Sequence, residues 1–349
     1  MDTLQYIPPS GAEFGELPLT TEELLRGYRA TARARFFDER AVTLQRQGRL
    51  GVYAPYRGQE AAQVGTTLAL EEGDWLVPSY RETAAAITHG LPLSQAILYW
   101  RSHPAGWRFP DDVRMLPFYI PIATQMPHAV GLAMAGRHQL AGRHQQEQPW
   151  VVLAFIGDGG TSEGDFHEAL NFAAVFKAPV VFVVQNNGWA ISTPTERQMA
   201  NVRIVDRANG YGMHGARVDG NDLVATWVAA KEAVARARAG EGPTLLEAMT
   251  YRIAPHTTSD DPGRYRDEEE SKRRAAEEPL VRLRTALRSL GVLTDEVEAQ
   301  VQADLEQELK EALEVADAAP DIDPAEIVEH VYAEMGPDQR MAWEALGGR

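Results

Sequence analysis

The chain has 349 residues, of which 44% are hydrophobic, and a net charge of -16 from 34 basic and 50 acidic side chains. This length allows one large globular domain with extensions or two smaller domains, and the acidic balance argues against a nucleic-acid surface as the main function. The absence of cysteine excludes disulfides, thiolate zinc sites and thiol nucleophiles, and it favours a reducing compartment. The sequence shows no signal peptide and no run near the ~18 apolar residues of a membrane helix, so we predict a soluble, cytoplasmic protein.

The N-terminal third begins with a segment rich in proline and glycine. Residues 1–19 predict an arm that lies on the body of the protein or on a neighbour. Either of two threonines after the arm can cap a long helix that runs to residue 48, because glutamates follow in its first turn. A glycine-punctuated loop over 49–59 leads into a small-residue helix over 60–70. This loop could line a pocket or serve only as a connection.

Residues 74–83 combine a short apolar strand with the start of a helix. Ser79, Tyr80 and Arg81 precede the helix predicted over 82–89, so a hydroxyl, a phenol and a guanidinium cluster at a helix N-terminus. Such a cluster suits an anion, because free N–H groups and the helix dipole favour negative charge. The competing interpretation is a capped surface helix whose arginine lies in solvent.

The middle of the chain predicts a strand, a helix and a second strand. After irregular sequence over 107–122, a helix over 124–140 and a polar turn over 141–149, apolar runs occupy 151–156 and 180–184. Each run predicts a buried parallel strand, because both of its faces are apolar. Apolar positions repeat at helical spacing between the runs. A right-handed crossover would bring both strand ends to one edge of the sheet, where open α/β sheets bind ligands.

Polar residues with hard oxygen ligands end both of these runs. Asp158 in Gly157-Asp158-Gly159 offers a carboxylate oxygen and Asn187 offers an amide oxygen, which suit Mg²⁺ or Ca²⁺. The adjacent glycines let the backbone approach a diphosphate closely. The 26 residues 160–185 separate Gly-Asp-Gly from Asn-Asn. Two unconnected polar turns are the alternative, but the pair of strand ends favours a metal-diphosphate anchor.

The rest of the chain continues to alternate strands and helices, which favours an α/β fold with a doubly wound, mostly parallel sheet flanked by helices. The segments are a long polar loop over 190–212, a strand over 213–218, a helix over 222–239, a strand over 244–251 and a polar loop over 252–262. Charged helical sequence follows from 268 onward. We predict an N-terminal arm (1–19), an α/β domain that binds the diphosphate (20–266) and a helical C-terminal extension (267–349).

The Gly-Asp-Gly and Asn-Asn pair resembles the thiamine diphosphate motif, and its flanks are similar to the α subunit of the decarboxylating component of 2-oxoacid dehydrogenases. The likeness spans roughly residues 20–335 and includes, in the family's order, RQGRLGVYAPYRGQEAAQVG, PSYRET, PIATQMPHAVG, RVDGNDL and YRIAPHTTSDDPGRYR. Within the family, RQGR, PIATQ and TYRI followed by HTTSDD resemble the branched-chain type. The resemblance implies the thiamine diphosphate-binding fold.

The resemblance also implies ligands for the metal and the diphosphate. Asp158, Asn187 and the backbone carbonyl of Trp189 would hold Mg²⁺, and the diphosphate would supply further oxygens. Gly159 and Gly160 would belong to the same cofactor-binding loop. Residue 189 is usually Tyr in the family, but a tryptophan carbonyl serves equally well.

A second group of residues is implied at the diphosphate or the reaction centre, namely Tyr80, Arg81, Arg252 and His256. His256 is the predicted catalytic residue, because stabilising or protonating intermediates suits a side chain with a pKa near neutrality. From the residues alone, a histidine in a polar loop is more often a surface or packing residue. Thr257 or Ser259 could be a regulatory phosphate site, although a solvated turn is the favoured interpretation.

Apolar contacts to the cofactor follow from the resemblance as well. Ile122 would lie under the cofactor and keep its two rings bent together, and Ile120 would offer a backbone contact to the pyrimidine. The chain departs from the family at Ile120, where a small polar residue is usual, and at Gln185, where branched-chain relatives can carry Arg. Residues 254–255 are Ala-Pro before His256, where Gly-His is common.

The implied activity is the thiamine diphosphate- and Mg²⁺-dependent decarboxylation of a branched-chain 2-oxo acid, with acyl transfer to a lipoyl group. A self-sufficient enzyme of this kind would need a second α/β domain to bind the aminopyrimidine, and we expect no such domain in these 349 residues. We therefore predict a half-site that a β subunit completes in an α2β2 heterotetramer docked on a lipoyl acyltransferase core. The alternatives are pyruvate or acetoin as substrate, or a non-catalytic Mg²⁺-nucleotide regulatory subunit, although no GxxxxGK[ST] loop occurs.

Overall fold

The computed structural model describes residues 2–141, 149–329 and 331–348. The strands are β1 (Trp75–Val77), β2 (Val152–Gly157), β3 (Val180–Asn186), β4 (Trp189–Ala190), β5 (Thr193–Pro194), β6 (His214–Asp219) and β7 (Thr244–Met249). Five of them form a parallel sheet in the order β1-β2-β3-β7-β6, while β4 and β5 form a separate antiparallel hairpin. The sheet therefore has the predicted parallel character.

Helices surround the sheet and make up most of the C-terminal region. They are α1 (Thr21–Arg46), α2 (Glu60–Thr67), α3 (Thr83–Thr88), α4 (Leu93–Trp100), α5 (Gln125–Ala141), α6 (Gly164–Phe176), α7 (Thr195–Gln198), α8 (Arg207–Tyr211), α9 (Leu223–Arg238), α10 (Glu268–Ala276), α11 (Pro279–Ser289), α12 (Asp295–Asp317), α13 (Glu326–Glu329) and α14 (Pro337–Ala345). Within the described ranges, none is both long enough and apolar enough to cross a membrane.

The sheet is buried on both faces, as the doubly apolar strands predict. Every residue of β3 is buried. Leu153 and Phe155 of β2 belong to a core shared with α1, α2 and α9. Ile156 of β2 and Phe182 of β3 belong to a second core shared with α5 and α6. The α/β fold with helices on both sides of a parallel sheet is confirmed.

The long first helix begins and ends at the predicted signals. The Thr20 hydroxyl accepts the backbone N–H of Glu23, and the Glu23 carboxylate accepts the backbone N–H of Thr20, so each satisfies a donor that the first turn leaves free. Gly48 follows the helix with φ at +73°, a conformation that favours glycine.

The N-terminal arm lies on the body of its own chain. Leu4 forms a parallel bridge with Val218 at the outer edge of β6. Asp222, at the N-cap of α9, accepts the backbone N–H groups of Tyr6 and Ile7 at 2.6 and 2.7 Å. At the other end of the chain, α11 and α12 contribute to the same core as α1. A domain boundary at residues 266–267 stays a prediction.

The expectation of a long polar loop over 190–212 is wrong. This segment contains the β4–β5 hairpin and the short helices α7 and α8. Thr195, Val205 and Ala208 are buried there, so the segment is anchored by tertiary contacts that elements of two to five residues do not show as a periodic pattern. Residues 142–148 of the predicted turn at 141–149 lie outside the described residues.

The carboxyl ends of β2 and β3 meet at one edge of the sheet. Gly157 pairs with Gln185 in the parallel register, which brings the residues that follow each strand level with each other. The backbone N–H of Asn187 donates to Oδ1 of Asp158 at 3.3 Å. The meeting of the Gly-Asp-Gly and Asn-Asn segments is therefore confirmed.

Candidate functional site

A cavity of about 600 Å³ opens at this carboxyl edge. Its lining includes every residue predicted for the site, namely Tyr80, Arg81, Ile120, Ile122, Asp158, Gly159, Gly160, Asn187, Trp189, Arg252 and His256. They come from distant segments of the sequence that the crossovers of the sheet bring together. The structure thus assembles the predicted set, while the role of each residue stays a prediction.

Asp158 is the buried carboxylate at the floor of the cavity, with 1% of its surface exposed. Its Oδ1 accepts the N–H of Asn187, and its Oδ2 accepts the hydroxyl of Thr195 at 3.1 Å. Burial raises the pKa of this carboxyl above its usual range, and the hydrogen bonds only partly offset that effect. A cation at this position would stabilise the ionised form.

Asn187 lies beside Asp158, whose Oδ1 accepts its backbone N–H. Its Nδ2 donates to Oε1 of Gln59 at 2.8 Å, and its Oδ1 accepts the backbone N–H of Trp189 at 3.1 Å. Since a carbonyl oxygen has two lone pairs, Oδ1 retains one for a further ligand. Gly188, with φ at +82°, turns the chain between these residues into the β4–β5 hairpin.

Gly159 and Gly160, which follow β2, are packed too closely against neighbouring side chains to carry a Cβ atom. A Cβ on Gly159 would lie 2.8 Å from the Cβ of Ala190, and one on Gly160 would lie 2.7 Å from Cγ1 of Ile156. The Gln198 amide donates to the carbonyls of Asp158 and Gly159 at 3.2 and 2.7 Å, which holds this loop in place. Both glycines also line the cavity, and a loop without side chains there suits a diphosphate.

The donor set fits Mg²⁺ better than a metal held by protein alone. Among the described residues, no group of three or more His, Cys, Asp or Glu side chains could hold a metal ion. Asp158 and Asn187 are only two side-chain ligands, one carboxylate and one amide oxygen. Mg²⁺ is commonly bound through one or two protein carboxylates together with substrate phosphates and water. The residues present therefore fit a magnesium ion that shares its coordination with a diphosphate.

In the same cavity, Arg81 and Arg252 converge on His256. Arg81 donates to the carbonyls of Pro55 and His256 at 2.7 and 2.9 Å, and its second nitrogen lies 3.0 Å from Nδ1 of His256. Arg81 is only 5% exposed, so the interpretation that it lies in solvent is wrong. The helix after it has six residues, and the guanidinium contacts carbonyls and the imidazole.

Arg252 is buried in the same cluster. It donates to the carbonyl of Ile191 at 2.8 Å and to the hydroxyl of Tyr265 at 3.3 Å, and it lies 3.3 Å from Nδ1 of His256. Its Nε is buried and, within the described structure, has no hydrogen-bond partner. Burial, together with the charges of Arg81 and Arg266, lowers the pKa of Arg252 to about 10. An anion in the cavity would relieve this accumulation of positive charge.

His256 is neutral in this environment. Burial, followed by the charges of Arg81 and Arg252, lowers the pKa of its imidazole to about 4. Both arginines can only donate, so Nδ1 acts as an acceptor and the proton of the neutral ring lies on Nε2. The expectation of a pKa near neutrality is therefore wrong for the chain alone. His256 can donate a hydrogen bond from Nε2 without carrying a charge.

Other buried polar residues at the site were not predicted from the sequence. Gln59 and Glu82 line the cavity with 1% and 2% of their surface exposed, and Thr195 contacts Asp158 directly. Gln185 was noted only as a departure from the family, yet it too is buried in the lining. For Gln59, the only signal in the sequence was its position where a predicted loop meets a predicted helix.

The mouth of the cavity is apolar and exposed. Four aliphatic residues of the cavity lining have between 42% and 59% of their surface exposed, namely Val52, Ile120, Ile122 and Ile191. Four neighbouring aliphatic side chains in solvent are unusual for a closed surface and are typical of a contact site.

Comparison with known proteins gives one consistent result. Residues 28–325 match the family described as Dehydrogenase E1 component. The 3-methyl-2-oxobutanoate dehydrogenase subunit alpha of Mycobacterium tuberculosis is 46% identical to this chain, in an alignment that covers 99% of this chain and 94% of the relative. The pyruvate dehydrogenase E1 component subunit alpha of Bacillus subtilis is 43% identical, covering 91% and 84%. The corresponding subunit of Acholeplasma laidlawii is 42% identical and covers 94% of both chains.

Proposed function

Because the chain belongs to the dehydrogenase E1 component family, as the α subunit of a 2-oxoacid dehydrogenase, we propose that it binds thiamine diphosphate through Mg²⁺ at the cavity. The observation that carries this proposal is the meeting of Asp158 with Asn187 beside the glycine loop. Asp158, Asn187 and the carbonyl of Trp189 would hold the metal ion. Gly159 and Gly160 would let the diphosphate lie against the backbone.

The cationic wall would bind the diphosphate and the reacting group. Arg81 and Arg252 both line the cavity, and their guanidinium groups would neutralise negative charge and donate hydrogen bonds to an anion. Thiamine diphosphate, when bound, supplies the electron sink for decarboxylation of a 2-oxo acid. Neutral His256 would donate a hydrogen bond from Nε2, and Tyr80, whose ring lies 6.0 Å from the imidazole, would limit its movement.

The cofactor site is proposed to be half of a complete site. The exposed aliphatic mouth, which includes Ile120 and Ile122, supports a contact with a β subunit that covers the cavity in an α2β2 heterotetramer. In that assembly Ile122 would support the bent cofactor, and Ile120 would offer its backbone to the pyrimidine. A lipoyl group on an acyltransferase core would then receive the acyl group.

Reconstitution tests the half-site. Neither the purified chain nor the β subunit alone should decarboxylate 2-oxo acids with thiamine diphosphate and Mg²⁺, whereas the mixture should. Calorimetry on the mixture should show binding of thiamine diphosphate and none of ATP. Decarboxylation by the chain alone contradicts the half-site, and binding of ATP in place of thiamine diphosphate contradicts the cofactor assignment.

For the substrate we propose a branched-chain 2-oxo acid. The Mycobacterium tuberculosis relative, named for 3-methyl-2-oxobutanoate, supports this choice, and so do the apolar side chains at the mouth. Pyruvate is the second candidate, because relatives of 42–43% identity are named for it. Comparing kcat/KM of the reconstituted enzyme on 3-methyl-2-oxobutanoate, pyruvate and acetoin decides between them.

A further inference from the structure

A chain of buried, hydrogen-bonded polar side chains leads to the proposed metal ligand Asn187. Gln185 donates from Nε2 to Oε1 of Glu82 at 2.5 Å and accepts at Oε1 from Nε2 of Gln59 at 3.4 Å. Gln59 in turn accepts the Nδ2 of Asn187 at its own Oε1, at 2.8 Å. Each of these four residues has 6% or less of its surface exposed. The chain leads from the start of α3 to the metal site.

The direction of every hydrogen bond in this chain is set by Glu82 at its end and by Gln63 beside it. An ionised Glu82 can only accept, so Gln185 must turn its NH₂ group toward Glu82 and its oxygen toward Gln59. Gln63 imposes the same direction independently. Its Nε2 donates to the carbonyl of Arg81 at 3.2 Å and to Oε1 of Gln185 at 3.1 Å, while its Oε1 accepts the N–H of Ala85 at 3.3 Å.

The orientation of the Gln185 amide determines the orientation of the Asn187 amide through Gln59. Because the oxygen of Gln185 faces Gln59, Gln59 must place its NH₂ group there and present its own oxygen to Asn187. Asn187 then gives its NH₂ group to Gln59, and its oxygen, which accepts the Trp189 N–H, keeps a second lone pair for a further ligand. A reversed Asn187 would direct N–H donors at a cation, which repels them.

We propose that Gln59 is a positioning residue that fixes the amide of Asn187 with its oxygen toward the metal ion. Glu82 and Gln63 determine this orientation through their hydrogen bonds to Gln185, which in turn orients Gln59. The inference rests on the proposed function, since it concerns the Mg²⁺ site. Partners that orient a metal ligand in this way affect metal affinity by about 10–100-fold. The Trp189 N–H also holds Asn187, so the lower end of that range applies here.

The competing explanation is that Gln59 only fills space at the N-cap of α2. The two explanations differ in what happens when residue 187 has no orientation to fix. An aspartate presents an oxygen on either side, so Asn187→Asp removes the need for the amide chain while keeping a metal ligand. The cost of Gln59→Met should then depend on residue 187 only if Gln59 acts through orientation.

The experiment is a double-mutant cycle on the reconstituted complex with the β subunit. Mg²⁺ is titrated by calorimetry at a fixed, saturating concentration of thiamine diphosphate. The pH is 8, because burial raises the pKa of Glu82 to about 7 and the carboxyl must be ionised. The four proteins are the wild type, Gln59→Met, Asn187→Asp and the double variant, with exposed Gln300→Met as the matched control.

We expect Gln59→Met to weaken Mg²⁺ binding about 10-fold when residue 187 is the native asparagine and less than about twofold when it is combined with Asn187→Asp. The Gln300→Met control should match the wild type. An equal loss in both backgrounds overturns the positioning role while leaving the proposed function intact. If the wild-type complex itself binds no Mg²⁺ with thiamine diphosphate, the proposed function fails instead.

Discussion

The two walls of the cavity carry opposite chemistry. The acceptor wall consists of Asp158 and Asn187 at the ends of β2 and β3, and the donor wall consists of Arg81, Arg252 and His256. Burial raises the pKa of Asp158, whereas burial and neighbouring guanidinium groups lower the pKa values of Arg252 and His256. Each wall is electrostatically unfavourable by itself, so a metal-diphosphate ligand would stabilise both.

The walls differ in how the fold fixes them. The acceptor wall follows directly from the parallel pairing of β2 and β3, which brings the ends of the two strands to the same edge of the sheet. The donor wall depends on contacts between distant segments, since Arg81 precedes α3 while Arg252 and His256 lie in the loop after β7. Substitution in the acceptor wall should therefore affect binding without affecting folding, and substitution in the donor wall should affect both.

The largest effect is expected for Asp158→Asn. This change removes the charged ligand but keeps the shape, so the affinity for thiamine diphosphate with Mg²⁺ should fall at least about 100-fold. The free energy of unfolding without cofactor should not fall, because burial disfavours the ionised Asp158 carboxylate and the variant removes that cost. Calorimetry and denaturant unfolding measure the two quantities. Glu168→Gln, on the exposed face of α6, is the control, and destabilisation of Asp158→Asn would remove the distinction between the walls.

Arg252→Lys should combine loss of binding with loss of stability. A lysine cannot serve Ile191, Tyr265 and His256 at once, and a hydrogen bond to a charged group contributes about 1.5–3 kcal/mol. We expect thiamine diphosphate to bind about 10-fold more weakly and the midpoint of urea unfolding to fall. The exposed Arg264→Lys should change neither quantity. A fully stable Arg252→Lys variant would contradict the view that this wall depends on its mutual contacts.

The acceptor wall was predictable from sequence and the donor wall only in part, for physical reasons. Apolar strands ending in Gly-Asp-Gly and Asn-Asn determine where Asp158 and Asn187 lie, because a parallel crossover leaves few alternatives. The pKa of His256 depends on guanidinium groups that reach it from distant segments, which no local pattern reveals. Gln59 likewise contacts Gln185 and Asn187 only through the tertiary fold.

The neutral state of His256 predicts a pH dependence of stability. Its pKa is about 4 in the folded chain against a usual value of 6.5, so between these values the unfolded chain binds the extra proton. Acidification from pH 6.5 toward 4 should therefore destabilise the wild type relative to His256→Gln, by about 2 kcal/mol after allowing for partial exposure. Above pH 6.5 the difference should be constant. Parallel stability curves across the whole range would show that the donor wall does not hold His256 neutral.

The smallest effect is expected at the mouth, outside both walls. Ile120→Ser replaces an aliphatic residue that is 59% exposed, so the unfolding free energy and the affinity for Mg²⁺ with thiamine diphosphate should be unchanged. If the mouth contacts the side chain of the substrate, kcat/KM for 3-methyl-2-oxobutanoate should fall about 3- to 10-fold relative to that for pyruvate, because a few lost apolar contacts contribute about 1 kcal/mol. Ile322→Ser, also exposed but absent from the cavity lining, should leave the ratio unchanged. An unchanged ratio in Ile120→Ser would assign substrate selection to the walls or to the β subunit, and the apolar mouth would then serve only as a contact surface.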